Sequence, residues 1–100
     1  MQLYIIDWLF QNSEDQLFAT NKFCKYLEEG KIDESIEGFE LMFIAHSPQD
    51  GSGVIICKVK NTEILYRIFN VWRENYSISF KFRTALTNQE LLTLQGNKSF

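Results

Sequence analysis

One hundred residues with 45% hydrophobic and 15% aromatic content hold enough apolar mass for one autonomous core, a single domain over 1–100 without a metal or disulfide staple. A formal charge of −3 and a pI near 5.1 exclude the broadly basic surface of a general nucleic-acid binder. With no visible signal peptide, no apolar run near the roughly 20 residues that span a bilayer, and Cys24 and Cys57 in no CxxC pair, the chain reads as a cytoplasmic protein with two free thiols.

Residues 1–10, MQLYIIDWLF, are β-branched and aromatic and predict a strand buried on both faces. Tyr4, Ile6, Trp8 and Phe10 share one side, Leu3, Ile5, Asp7 and Leu9 the other. Ser13 and Gln16 have the spacing of a capping box, with Glu14 and Asp15 favourable at the positive end of a helix dipole. The helix that follows places Leu17, Thr20, Phe23, Cys24 and Leu27 on one stripe and stops at Gly30. Lys31–Glu37 is a polar connection with room for one short turn.

Two apolar runs, Phe39–Ala45 and Val54–Val59, flank a break that contains Pro48, Asp50, Gly51 and Gly53. Proline fixes φ and glycine supplies positive φ, so the segment predicts two antiparallel strands joined by a loop longer than a tight turn. Simple alternation sets Phe39, Leu41, Phe43 and Ala45 against Glu40, Met42, Ile44 and His46. Asn61 or Thr62 can cap a second helix with a stripe of Ile64, Leu65, Ile68, Val71 and Trp72, Phe69 lying beside it. Tyr76–Thr84 alternates as a half-buried strand, with Ser77, Ser79, Lys81 and Arg83 on its wet side. Thr87 and Glu90 form another capping box, opening a short helix through Leu94, after which Gly96–Phe100 frays.

The order is β-α-β-β-α-β plus a terminal helix. It predicts an α+β, ferredoxin-like sandwich: a four-stranded antiparallel sheet, two helices on one face, and the first and third strands in the middle. The early strand YIIDW, His46-x-Pro48-x-x-Gly51-x-Gly53 and Tyr66-x-x-Phe69-x-x-Trp72 resemble an uncharacterised family of small ferredoxin-like proteins of bacteria, cyanobacteria and their phages. The resemblance spans nearly the whole chain and implies the same fold, related in shape to the dimeric α+β barrels. It implies no reaction.

Two residues are candidates for chemistry. His46, the only histidine, stands at a loop shoulder beside glycines, where an imidazole can act as a base or bind an anion; its plainer role is to hydrogen-bond the loop. Asp7 is a carboxylate in an apolar strand. Alternation puts both on the open face with Glu40, Lys58, Lys81 and Arg83, so Asp7 either polarises a substrate or forms a cross-strand ion pair. His46, Lys58, Lys81 and Arg83 are the candidate ligand-binding set. One histidine and two separated cysteines make no metal site, and Gly51-Ser52-Gly53 lacks the helix and lysine of a phosphate loop, so no metal or cofactor is called for.

Two functions fit. The first is a non-enzymatic ligand-binding or interaction module, a homodimer through an open sheet face bearing Leu3, Ile5, Met42, Ile44, Val54 and Ile56, with a small molecule as candidate partner. The second is a small cofactor-independent enzyme, oxygenase or isomerase-like, using His46 and Asp7. The third strand offers no aromatic platform for RNA. Trp8 and Trp72 are expected as core anchors, and Cys24 and Cys57 as small buried groups under the helices.

Overall fold

The computed structural model of the protein describes residues 1–30 and 36–96. Most of the expected polar connection and the last four residues lie outside that range. Seven elements follow in order: β1 (Gln2–Phe10), α1 (Ser13–Glu28), β2 (Phe39–Ser47), β3 (Ser52–Val59), α2 (Thr62–Asn75), β4 (Ile78–Ala85) and α3 (Asn88–Gly96). The strands form one antiparallel sheet in the order β2-β3-β1-β4, an α+β arrangement with the first and third strands central, as expected.

Each helix begins on a side chain that accepts one of its unpaired N–H groups. Asn61 Oδ1 accepts from the Ile64 N–H at 3.0 Å and starts α2. At α3 the predicted box is formed in both directions: Glu90 N–H donates to Thr87 Oγ1 (3.1 Å), and Thr87 N–H donates to Glu90 Oε1 (3.0 Å). At α1 the cap lies one residue earlier than the Ser13 box. Asn12 Oδ1 accepts from the Asp15 N–H at 2.8 Å, asparagine being among the best capping residues. The carboxylate of Asp15 is thereby turned toward the start of β4, where the Ser77 N–H donates to it at 2.8 Å. That bond, with a smaller contribution from Asn12, holds the Asp15 pKa below its ordinary value.

The core lies on one side of the sheet. Ile6 and Trp8 of β1, Ile55, Cys57 and Val59 of β3, and Leu65 and Phe69 of α2 are buried together, flanked by half-buried Tyr4, Phe10, Ile78 and Phe80. The close approach of Trp8 requires glycine at 53: a Cβ there would overlap the indole ring and crowd the Ala45 carbonyl. On the opposite side of β1, Leu3 is buried, Ile5 and Asp7 are half-buried and Leu9 is exposed, so this strand is covered on both faces only at its start and not, as its composition suggested, throughout.

β2 departs from simple alternation. Leu41 pairs with Cys57 and Phe43 with Ile56, adjacent residues of β3, so Met42 is the extra residue of a β-bulge. One inserted residue inverts the faces of everything after it. Phe39 and Leu41 remain on the helix side as expected, but Phe43 and Ala45 move to the open face, while Ile44 and His46 move under the helices.

The helices also depart from their predicted stripes. In α2, Phe69 is the buried anchor, Trp72 is half-buried and Val71 is exposed. Along α1 only Ala19 is buried; Leu17, Phe18 and Leu27 are all more than half exposed, and Cys24 is exposed as well. This helix stands off the sheet. α3 buries no residue, and the long axis of 55 Å against 27 and 22 Å, with a radius of gyration of 15.7 Å where a compact 100-residue domain has about 13 Å, reflects an extended body.

Candidate functional site

The gap under α1 is a cavity of about 500 Å³, floored by the helix side of the sheet and walled by α1 and α2. That is within the size range of small-molecule pockets. Phe39, Leu41, Ile44, Ile55, Phe69, Trp72 and Phe80 supply its apolar surface. Among the described residues its lining contains no Lys, Arg, Asp or Glu.

Polar groups gather at one end. Gln16 and Thr20, one turn apart on α1, lie on the cavity wall with His46 and Ser52 from the β2–β3 hairpin. Gln16 Nε2 donates to the Pro48 carbonyl at 2.7 Å, fastening the first turn of α1 to the loop; Gly51, with φ 65°, lets the loop turn beneath it. Ser47 Oγ donates to Asp50 Oδ2 at 3.0 Å, and Asp50 N–H to the Ser47 carbonyl at 3.1 Å, so the loop is braced from within.

His46 is held by rings. Its imidazole stands edge-on to Trp8, centroids 5.3 Å apart, and tilted against Phe23 at 5.1 Å. No hydrogen bond joins it to another described residue, so the loop-bracing role expected of it falls to Gln16 and Asp50 instead. Its nitrogens retain their full capacity to donate or accept.

Asp7 is elsewhere. It sits on the open face, opposite Val54 on one side and Lys81 on the other, with Arg83 Nη2 at 3.5 Å from Oδ2 in a partly exposed ion pair. Lys58 shares that face, opposite Glu40 and Leu3. The five candidate residues therefore divide: His46 lines the cavity, while Asp7, Lys58, Lys81 and Arg83 lie across the sheet from it. A joint His46–Asp7 mechanism has no shared site. No group of three His, Cys, Asp or Glu residues placed to hold a metal occurs among the described residues.

The cavity and three of its walls, Gln16, Thr20 and Phe23, were not singled out as a site from sequence. The available signal was compositional: the expected core stripe of α1 carries Thr20 and Cys24, too small or too polar to fill the space below.

Both cysteines are free thiols but in unlike surroundings: Cys24 lines the cavity and is exposed, whereas burial pushes the Cys57 thiol up to about 11. A maleimide at pH 7.5 is expected to label one thiol in the folded protein and both in denaturant. Because folding raises the pKa of Cys57, the native state holds its proton more tightly, and its contribution to stability is lost as pH rises from about 9 to about 11. Denaturation midpoints across that window in Cys57→Ala, flatter than in the parent, check the sign.

Residues 2–98 match the family model described as Domain of unknown function (DUF3303), and the chain belongs to that family. Comparison with curated proteins and with solved structures finds no match. No helix among the described residues is long and apolar enough to cross a membrane.

Proposed function

We propose that this member of the DUF3303 family is a non-enzymatic binding module that takes an apolar small molecule between α1 and the sheet, and that it works as a cytoplasmic homodimer joined through the open sheet face. The scaffold in this reading is a ferredoxin-like sandwich, supported by the β-α-β-β-α-β order and the central first and third strands.

One observation carries the binding function: where a domain of this size would close its core, it keeps about 500 Å³ lined by aromatic and aliphatic side chains. Interiors normally pack like organic crystals, and apolar surface left facing water in an open cleft is unfavourable. A ligand that fills the space covers that surface. The enzymatic alternative is the weaker one because His46 would act alone, Asp7 being on the other face.

N-phenyl-1-naphthylamine, a neutral apolar fluorophore that brightens out of water, provides the test. The protein is expected to bind it with micromolar affinity, and Thr20→Trp, which puts an indole into the cavity from an exposed position of α1, is expected to abolish binding with the melting temperature retained. Equal binding by parent and variant would place the probe outside the cavity and defeat the proposal.

A further inference from the structure

The cavity has a direction, and that direction defines a class of ligand. β2 runs along its floor from Phe39 to His46; at roughly 3.3 Å per residue this edge extends about 20 Å. α1 runs along the same cavity, Gln16 above the hairpin end and Leu27 at the far end, where Ile36 also contributes. Gln16, His46 and Ser52 stand at the first end among apolar neighbours, and at the second the lining is apolar apart from the Tyr26 ring with its hydroxyl.

Charge narrows the class further. His46 is exposed, so a head group beside it keeps part of its hydration, but an ion held there still gives up some, and the described lining offers no Lys, Arg, Asp or Glu to pair with it. A neutral oxygen carries no such penalty, and the imidazole of His46, unpaired with any described residue and held between Trp8 and Phe23, can donate to it or accept from it. We infer that the natural ligand is an uncharged long-chain amphiphile, an alcohol, aldehyde or ketone, whose oxygen meets His46 while its chain lies along β2 toward Phe39. This rests on the proposed apolar binding function and adds the head group, its charge and its orientation.

Displacement of N-phenyl-1-naphthylamine by three ten-carbon probes tests it: decan-1-ol, decanoate and decylammonium, each below its micellar concentration. Decan-1-ol is expected to displace the fluorophore at least tenfold more effectively than either ion. A preference for the alcohol also follows from hydrophobicity alone, so the deciding readout is His46. His46→Leu is expected to weaken decan-1-ol about fivefold to tenfold relative to the fluorophore measured on the same variant, the value of one hydrogen bond. His46→Gln, which keeps a donor and an acceptor, is expected to restore most of the loss. Fluorophore binding with decan-1-ol indifferent to both variants would overturn the head-group assignment and leave apolar binding standing. Tighter binding of decanoate would overturn the charge argument. No fluorophore binding by the parent protein would bring down both readings.

Discussion

Phe69→Ala is expected to destabilise the protein by about 3–5 kcal/mol, the usual cost of truncating a core phenylalanine. Phe69 is 4% exposed, and its ring stands edge-on to Phe80 at 5.0 Å and Phe82 at 5.7 Å, joining α2 to β4. Such aromatic pairs add about 0.5–1.5 kcal/mol beyond buried area. Against the total stability of roughly 5–15 kcal/mol for a domain this loss is large. Trp72→Ala provides the contrast. Composition alone marks Trp72 as the core anchor, yet it is half-buried, tilted against Tyr76 at 5.7 Å and edge-on to Tyr26 at 6.5 Å on the wall of the cavity. Its removal enlarges a space that already exists and exchanges few packed contacts for water, so less than about 2 kcal/mol is expected. Urea midpoints of the two variants decide between them. Equal losses would mean that α1 and α2 close on the sheet in solution and that the cavity is not part of the native state.

What could be read in advance follows where each residue's information is local. The Thr87–Glu90 box and the Asn61 cap are specified by residues three apart and appear as predicted. Strand order follows from connection lengths and handedness, and the central pair is correct. The face assignment in β2 failed for a physical reason. Leu41-Met42-Phe43-Ile44 is apolar at every position, so neither parity stands out, and a bulge that moves one set to the other side leaves no mark in hydrophobicity. The bulge shows only in the structure, where β2 has nine residues and β3 eight. The placement of His46 hangs on that one residue, since without the bulge it would lie on the open face, the same side of the sheet as Asp7. The distance of α1 from the sheet is likewise illegible locally, because Leu17, Phe18 and Leu27 are apolar whether they pack or not.

The homodimer makes the other large prediction. The open face presents Ile5, Leu9, Val54 and Ile56 from the two central strands and Met42 from β2, and the bulge adds Phe43, 54% exposed; of the residues first expected to be exposed there, Ile44 is on the helix side and Leu3 is buried. α3 does not shield this surface by burying its own leucines: Leu91, Leu92 and Leu94 are 47%, 66% and 51% exposed. Face and helix together expose apolar side chains of the kind that a stable interface of roughly 800 Å² per partner buries. A two-fold pairing brings the same patch from both copies together and removes it from water, which monomers rarely leave so much of exposed. Sedimentation at micromolar concentration is therefore expected to show a species of twice 11.8 kDa. Val54, opposite Asp7 on β1 and Ala45 on β2, is central to the patch. Val54→Glu places two carboxylates in one symmetric interface, each beside an Asp7 that is already negative, and an unpaired buried charge costs several kcal/mol. The variant is expected to sediment as a monomer near 11.8 kDa with its circular dichroism unchanged, because position 54 faces away from the core of Ile55, Cys57 and Phe69. A parent protein that remains monomeric at these concentrations would overturn the dimer, and a Val54→Glu variant that stays dimeric would move the interface off the sheet and onto another surface, α3 first among them.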